Sequence, residues 1–414
     1  MRLLWLCNMR PSAVQEQLSG QKGGGLWVDN VLSSLRQRED MTIRILCPAP
    51  AAGDGRLDEK CSYATFKEGL PYVYLPELEE QFRKEIVEYQ PDVIHIWGTE
   101  YGHTLAMVNA AEKAGMLDRV AVHIQGLCSV IARHYAEGIS YKIQRKNTFR
   151  DFVRRDNILR QQKKFALRGA LEVQALQKVR HVIGRTDWDE ACTKQCHPGI
   201  TYHFGNETLR QPFYDGQWRY EACEKHRIFA SSASYPVKGF HYLLEAFAQI
   251  VKQYPDARLA VPGVSFIDYP AWRKSSYQKY LEALTRKYGI ADRIEFLGDL
   301  SAEGMKAEYL KAHVFALPST IENSPNSMGE AMLLGTPCVA SDVGGVSTML
   351  RHGQEGYVYQ PAAPYMLAHY IMEVFAMKEQ AEAMGAAAKK HAEQTHDPDK
   401  NLQDLLEIYH KIAM

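Results

Sequence analysis

Short apolar or β-branched runs alternate with helical stretches along almost all of the 414 residues, and no other feature constrains the fold as tightly. A strand covered on both faces reads as an unbroken apolar run, and strands separated by helices join through crossovers into parallel sheets. In the first half the runs are Arg2–Cys7, Thr42–Leu46, Asp92–Trp97, Val120–Ile124 and His181–Gly184. In the second they are Arg227–Ser231, Arg258–Val261, Arg293–Leu297, His313–Leu317 and Pro337–Ser341. Helical stretches such as Leu26–Gln37, Phe240–Tyr254 and Met305–Ala312 lie between them. The series breaks once, from Tyr202 to Tyr214, where turn residues appear without a period and a linker is expected. The pattern predicts an α/β protein of two doubly wound, Rossmann-like domains, residues 1–205 and 206–396. From Pro364 the chain is Ala- and Met-rich and helical, and Pro398 divides it. The last piece, residues 397–414, is expected to pack back on the first domain.

Charge narrows the partners. Lys plus Arg is 49 and Asp plus Glu is 49, so the net charge is zero, which argues against a nucleic-acid binder. No apolar run is long enough to cross a bilayer. The opening Met1–Cys7 is too short for a signal-peptide core and reads as a first buried strand. Eight cysteines in so long a chain do not make a disulfide scaffold, so a reducing cytoplasm is the expected setting. Cys192, Cys196 and His197 lack a second Cys/His pair at zinc-site spacing, and two partly buried cysteines one helical turn apart is the preferred reading. Asp187 and Asp189 form a D-x-D triplet, but Thr186 three residues before Asp189 matches a capping box, which accounts for both acids without a metal.

The segment that carries most chemistry runs from Pro318 to Pro337 and contains Glu322, Asn326, Ser327, Met328 and Glu330. Pro325 after Ser324 suits the first helical position, and Gly335 followed by Pro337 marks the helix end. Glu322 is thus placed in the loop after a strand and Glu330 on the next helix. The amides near Asn326, Ser327 and Met328 make a natural anion site. In open α/β sheets ligands bind beyond the carboxyl ends of the strands, which is where this loop falls. Two carboxylates flanking an anion site can hold hydroxyls on either side of a diphosphate.

This whole Pro-Ser…Glu-x7-Glu-Ala…Gly-x-Pro stretch resembles the signature of glycosyltransferase family 4, retaining enzymes of the GT-B fold, and the likeness extends over nearly the whole chain. The resemblance implies an acceptor-side first domain, a nucleotide-sugar-binding second domain and a cleft between them. It implies that Glu322 contacts donor-sugar hydroxyls, that Glu330 binds the ribose, and that the Ser327 and Met328 amides meet the diphosphate. Lys238, in Ser231–Gly239, matches the family's Lys-Gly and would bind the pyrophosphate; Gly263, after the strand Arg258–Val261, joins the nucleotide contacts. Many members carry Arg five residues before that Lys. This chain has Ala233, so another cation or the helix amides must compensate. The glycine-rich loop Gly23–Gly25 would face the diphosphate through Gly24 and Gly25. Members place a His before the Gly at the end of the fourth strand; here Gln125 holds that position and His123, two residues earlier, points to the same face. Either can hydrogen-bond the sugar. His95 and His103, near another strand end, are expected on the acceptor side.

Lys142 to Arg168 holds ten basic residues against Asp151 and Asp156, with Phe149, Phe152 and Phe165 interleaved. Read as a basic amphipathic helix, it points to an anionic membrane surface or lipid phosphate. The expected activity is retaining, metal-independent transfer of a sugar from a nucleotide-diphosphate sugar, UDP favoured, to a hydroxyl of a glycan or polyprenyl-linked acceptor. The departing phosphate would take the acceptor proton, and no cofactor would be needed. The expected location is cytoplasmic, with peripheral contact at the inner face of a membrane, in a polysaccharide pathway. Two rivals stand beside it: a nucleotide-sugar epimerase of the same fold, and a non-catalytic sugar- or lipid-binding accessory protein.

Overall fold

The computed structural model describes residues 1–20 and 27–414, with only the backbone described at Trp27. The triple-glycine loop, with the expected contacts Gly24 and Gly25, lies outside them. Fourteen strands form among the described residues: β1 Arg2–Cys7, β2 Thr42–Ala49, β3 Gly53–Arg56, β4 Cys61–Lys67, β5 Val93–Trp97, β6 Val120–His123, β7 His181–Gly184 and β8 Thr201–Phe204, then β9 Arg227–Phe229, β10 Arg258–Val261, β11 Ile294–Phe296, β12 Val314–Leu317, β13 Cys338–Ser341 and β14 Tyr357–Tyr359. The first eight make one sheet in the order β3-β4-β2-β1-β5-β6-β7-β8, parallel except for the β3–β4 pair. The other six make a second, all-parallel sheet in the order β11-β10-β9-β12-β13-β14. Both are doubly wound, and the fold is of the paired Rossmann-like GT-B class.

The chain divides into two compact units. One comprises Met1–Ala132, Lys164–Thr208 and His396–Met414; the other comprises Arg133–Lys163 and Leu209–Thr395. A division at 205/206 therefore misses the excursion 133–163, which belongs with the second unit. It also misses β8, which occupies the start of the expected linker. In the first unit, alternation along β1 sends Leu4 and Leu6 into one core layer and Leu3, Trp5 and Cys7 into the other. That second layer is closed by Leu405, Ile408, Tyr409 and Ile412 of the helix Pro398–Ala413. In the second unit Phe229 of β9 and Phe315 of β12 pack with Met328, Ala331 and Leu334, so the helix carrying Glu330 is clamped to the sheet by its apolar positions. No described helix is long and apolar enough to cross a membrane.

His95 sits in this fold as a core residue. It is fully buried, its Nδ1 is 2.6 Å from the Tyr409 hydroxyl, and it stacks on Trp97 at 3.9 Å. His103 is buried too, with Nε2 2.8 Å from Asn8 Oδ1. Burial pushes His103 down to about 3, and burial together with neighbouring His123 holds His95 well below the usual imidazole range. Imidazole NMR with histidine-selective labelling is expected to show both rings neutral and unshifted from pH 8 to 5; a midpoint above 5 for either would mean that the ring meets water.

Candidate active site

The order of the second sheet sets the site. The chain leaves β9 outward to β10 and β11, then returns to β12 on the other side of β9. The loops after β9 and β12 therefore flank the point where the winding reverses, the position at which open α/β sheets bind ligands. Lys238 comes from the first loop and Glu322 from the second. Their side chains meet, with Lys238 Nζ 2.7 Å from Glu322 Oε1, and Ser319 Oγ donates to the same oxygen at 2.7 Å. The approach depends on Gly239, whose φ is +63° and whose absent Cβ would lie 1.8 Å from the Pro318 carbonyl oxygen. Burial opposes the Lys238 charge, but the Glu322 carboxylate and Tyr235 outweigh it and hold the ammonium above its ordinary pKa. This is a charged, hydrogen-bonded pair at the mouth of the sheet.

Glu330 lies on the helix Asn326–Leu334, largely buried. It accepts a two-pronged contact from Arg210, at 2.7 Å from Nε and 2.9 Å from Nη2. Burial pushes the Glu330 carboxyl up, and the guanidinium limits that rise. Arg210 was missed because it falls in the stretch read as a linker; the signal was a carboxylate on a helix otherwise apolar enough to be buried. Removing Arg210 leaves a buried carboxylate without its counter-ion. Arg210→Ala is expected to cost about 2 kcal/mol, less than a fully buried pair because Arg210 is 31% exposed. A raised carboxyl contributes stability below its unfolded pKa and loses it as pH rises through the folded value, so the deficit should be larger at pH 8 than at pH 5 in urea unfolding. Glu330→Gln on the same background should recover part of it. An equal deficit at both pH values would exclude this account.

The helix start supplies fewer amides than its sequence suggests. The helix begins at Asn326 with Pro325 as its cap residue, and the Met328 and Gly329 amides both donate to the Pro325 carbonyl at 2.9 and 3.2 Å. Met328 is therefore a poor diphosphate donor. The Ser327 amide has no protein partner among the described residues, while the Ser327 carbonyl accepts from the Tyr309 hydroxyl at 2.9 Å. Gly263 has φ +99°, but its amide is committed to the Gly298 carbonyl at 2.7 Å. A further glycine, not singled out in the sequence, supports Glu322. Gly344, in the loop after β13, has φ +55°, its absent Cβ would lie 1.8 Å from the Glu322 carbonyl oxygen, and Gly345 N–H donates to that oxygen at 3.2 Å.

In the first unit, His123 and Gln125 share a partner that sequence reasoning did not find. Gln125 Nε2 donates to Glu207 Oε1, His123 Nε2 lies 3.4 Å from the same oxygen, and Arg185 Nη1 is 3.1 Å from Oε2. His123 is 2% exposed, and burial with the nearby Arg185 charge pushes it down to about 3, so the ring is neutral. Gln125 is the residue that reaches an opening. It lines a cavity of about 260 Å³ with Asn8, Glu100 and Tyr101 at the ends of β1 and β5.

The basic segment is not one amphipathic helix. It is broken into the helices Tyr141–Gln144, Phe149–Arg154 and Ile158–Leu176, with Arg155 at φ +51°. Thr148 and Asp151 form a capping box at the second, and Asn157 Oδ1 accepts from Arg160 N–H ahead of the third. The Thr186–Asp189 capping box forms as its spacing predicts. No group of three or more His, Cys, Asp or Glu side chains poised for a metal occurs among the described residues.

The family description "Glycosyl transferases group 1" matches residues 220–391, a span that contains Lys238, Glu322, Glu330 and Gly344. That match covers less than half of the chain. The chain is 29% identical over 191 residues to an uncharacterized glycosyltransferase of Methanocaldococcus jannaschii, covering 46% of each chain. It is 32% identical over 155 residues to a D-inositol 3-phosphate glycosyltransferase of Corynebacterium diphtheriae, covering 37% of this chain and 35% of that one. The matches span less than half the length of these curated relatives. The fold is similar over its whole length to sucrose-phosphate synthase from Thermosynechococcus elongatus, with TM-score 0.73, 17% identity, and 100% and 99% of the two chains covered. It is also similar to Anabaena HepE in complex with UDP-glucose, with TM-score 0.67, 18% identity, and 99% and 100% covered. The matched span thus contains the Lys238–Glu322 site, while Arg210, which holds Glu330, lies outside it.

Proposed function

We propose that the chain transfers a sugar from a nucleoside-diphosphate donor, a UDP-sugar by preference, to a hydroxyl of a glycan or polyprenyl-linked acceptor, with retention and without a resident metal. The observation that carries this reading is the Lys238–Glu322–Ser319 cluster at the reversal point of the second sheet. In the reaction the bond from the anomeric carbon to the diphosphate oxygen breaks. A new bond to the acceptor oxygen forms on the same face, and the acceptor proton passes to the departing phosphate. Negative charge grows on the diphosphate and positive charge on the sugar, and fixed groups aimed at that charge lower the barrier. Lys238 and the Ser327 amide serve the diphosphate. Glu322 orients the sugar hydroxyls. Glu330, held by Arg210, keeps acceptor capacity on each oxygen for the ribose. Gln125 is assigned to the acceptor side. UDP is favoured because HepE, of similar fold, is described with UDP-glucose.

Thermal unfolding with UDP, GDP, ADP, CMP and their sugars, without metal, tests the donor reading. A ligand at about a hundred times its dissociation constant adds roughly 2.7 kcal/mol of stability. A selective rise in Tm with UDP and a UDP-sugar is expected. No rise with any member, with or without added magnesium, would remove the nucleotide site.

A further inference from the structure

The excursion 133–163 and the long loop after β10 enclose a cavity of about 470 Å³ within the second unit that the transfer reading does not use. Its walls carry Arg150, Arg154 and Arg273, no carboxylate, and the apolar side chains of Phe149 and Trp272. Arg150 is neutralised by Asp151 and Asp156 at 3.0 and 2.8 Å. Arg154 and Arg273 have no carboxylate partner among the described residues; Arg273 instead lies over the rings of Tyr269 and Trp272 at 5.2 and 5.5 Å. The rim is unusually apolar for an arginine site: Phe149 is 66% and Trp272 63% exposed. The walls are fixed. Buried Asp151 caps its own helix through Thr148 and also accepts from Ser276 N–H at 2.8 Å, which ties the excursion to the helix Ser276–Tyr288.

We infer that this cavity binds a single phosphate or diphosphate ester of a long apolar chain, the phosphate between Arg154 and Arg273 and the chain against Trp272 and Phe149. Two uncompensated guanidinium groups in a concavity without acids match a phosphate, which they can grip by paired hydrogen bonds. The exposed rings beside them are suited to an attached apolar chain, and an inorganic ion would leave them unused. A cavity of this volume takes one molecule, within the range of small-ligand sites, whereas a bilayer surface needs no concavity. Ser234, in the loop that ends at Lys238, is part of the wall, and Val264 follows Gly263. The phosphate ester therefore sits beside the donor loops. Its role as anchor of the acceptor rests on the transfer reading; the ligand class does not.

The test uses the full chain and its Arg154→Ala/Arg273→Ala and Trp272→Ala variants. None of these side chains belongs to the proposed donor machinery. Binding of dodecyl phosphate below its micelle concentration is measured by calorimetry, beside inorganic phosphate, dodecyl maltoside, and phosphatidylcholine vesicles with and without phosphatidylglycerol. Dodecyl phosphate is expected to bind at least tenfold more tightly than phosphate or the maltoside, and to weaken at least tenfold in both variants, with the UDP-dependent Tm rise unchanged. Equal binding of the maltoside, or dodecyl phosphate binding that survives the double variant, overturns the site. Binding only to anionic vesicles overturns it in favour of a membrane surface. Loss of the UDP response in the arginine variant assigns the cavity to the donor and overturns it as well. Absence of any UDP response in the unaltered chain, with dodecyl phosphate binding intact, refutes the donor reading and leaves this one standing.

Discussion

Glu322→Gln is expected to lower sugar transfer by roughly 10²–10³-fold, while the Tm rise given by the nucleoside diphosphate changes little. Gln keeps the length of the side chain and can still accept from Ser319 and Lys238, so the pair at 2.7 Å is weakened, not dismantled. What disappears is the negative charge that, in the proposed reaction, faces the donor sugar as it becomes cationic. The diphosphate and nucleoside contacts proposed for Lys238, Ser327 and Glu330 are left in place. A steady-state comparison with a matched donor gives the size of the effect, and Tm shifts with the diphosphate give the binding side. Turnover within threefold of the parent would remove Glu322 from the chemistry. Equal loss of turnover and of diphosphate binding would make it a binding residue instead.

Gly344→Ala should have a large effect on the fold near the site. At φ +55° an alanine costs about 1 kcal/mol in backbone strain alone, and its Cβ would meet the Glu322 carbonyl oxygen at 1.8 Å. Backbone must move, and the residue that moves is Glu322. A loss of about 3 kcal/mol is expected, with a Tm fall of roughly 6–12 °C at the roughly 2–4 °C per kcal/mol typical of domains of about 150–250 residues. Gly353→Ala is the control. It has φ +74° with nothing within 4 Å of its absent Cβ, so it should show the strain without the collision. Similar Tm values for the two variants would mean that the loop after β13 yields and does not hold Glu322.

The sequence was most readable where structure is local. β1 and β7 have the bounds that their apolar runs predict, because a strand covered on both faces leaves an unbroken signature. β3, β4, β8 and β14 were not seen, and of these β4 is mostly buried, so exposure explains only some of the misses. β3 is Gly-Asp-Gly-Arg, almost wholly exposed at one edge of its sheet, and β8 forms the other edge with no buried residue. The same distinction runs through the site. Lys238 and Glu322 each belong to a strand–loop–helix unit a few residues long, so their positions could be read singly. Their contact spans 84 residues, and that of Arg210 with Glu330 spans 120. Neither pairing leaves a mark in local spacing. The basic segment shows the opposite error: its Thr148-x-x-Asp151 capping box was legible, but the charge count drew attention to one long helix instead of two caps.

The interleaving of the two units in sequence has a consequence for how the protein is made. The second unit has all its parts once residue 395 has left the ribosome, because the excursion 133–163 emerged long before. The first unit begins to form earlier but cannot finish. The layer holding Leu3, Trp5 and His95 is packed early by Val14, Leu32 and Leu35, but its other part waits for Leu405, Ile408 and Tyr409. Until the helix Pro398–Ala413 follows, part of this apolar sheet face stays exposed on the nascent chain, although the second unit already has all its parts.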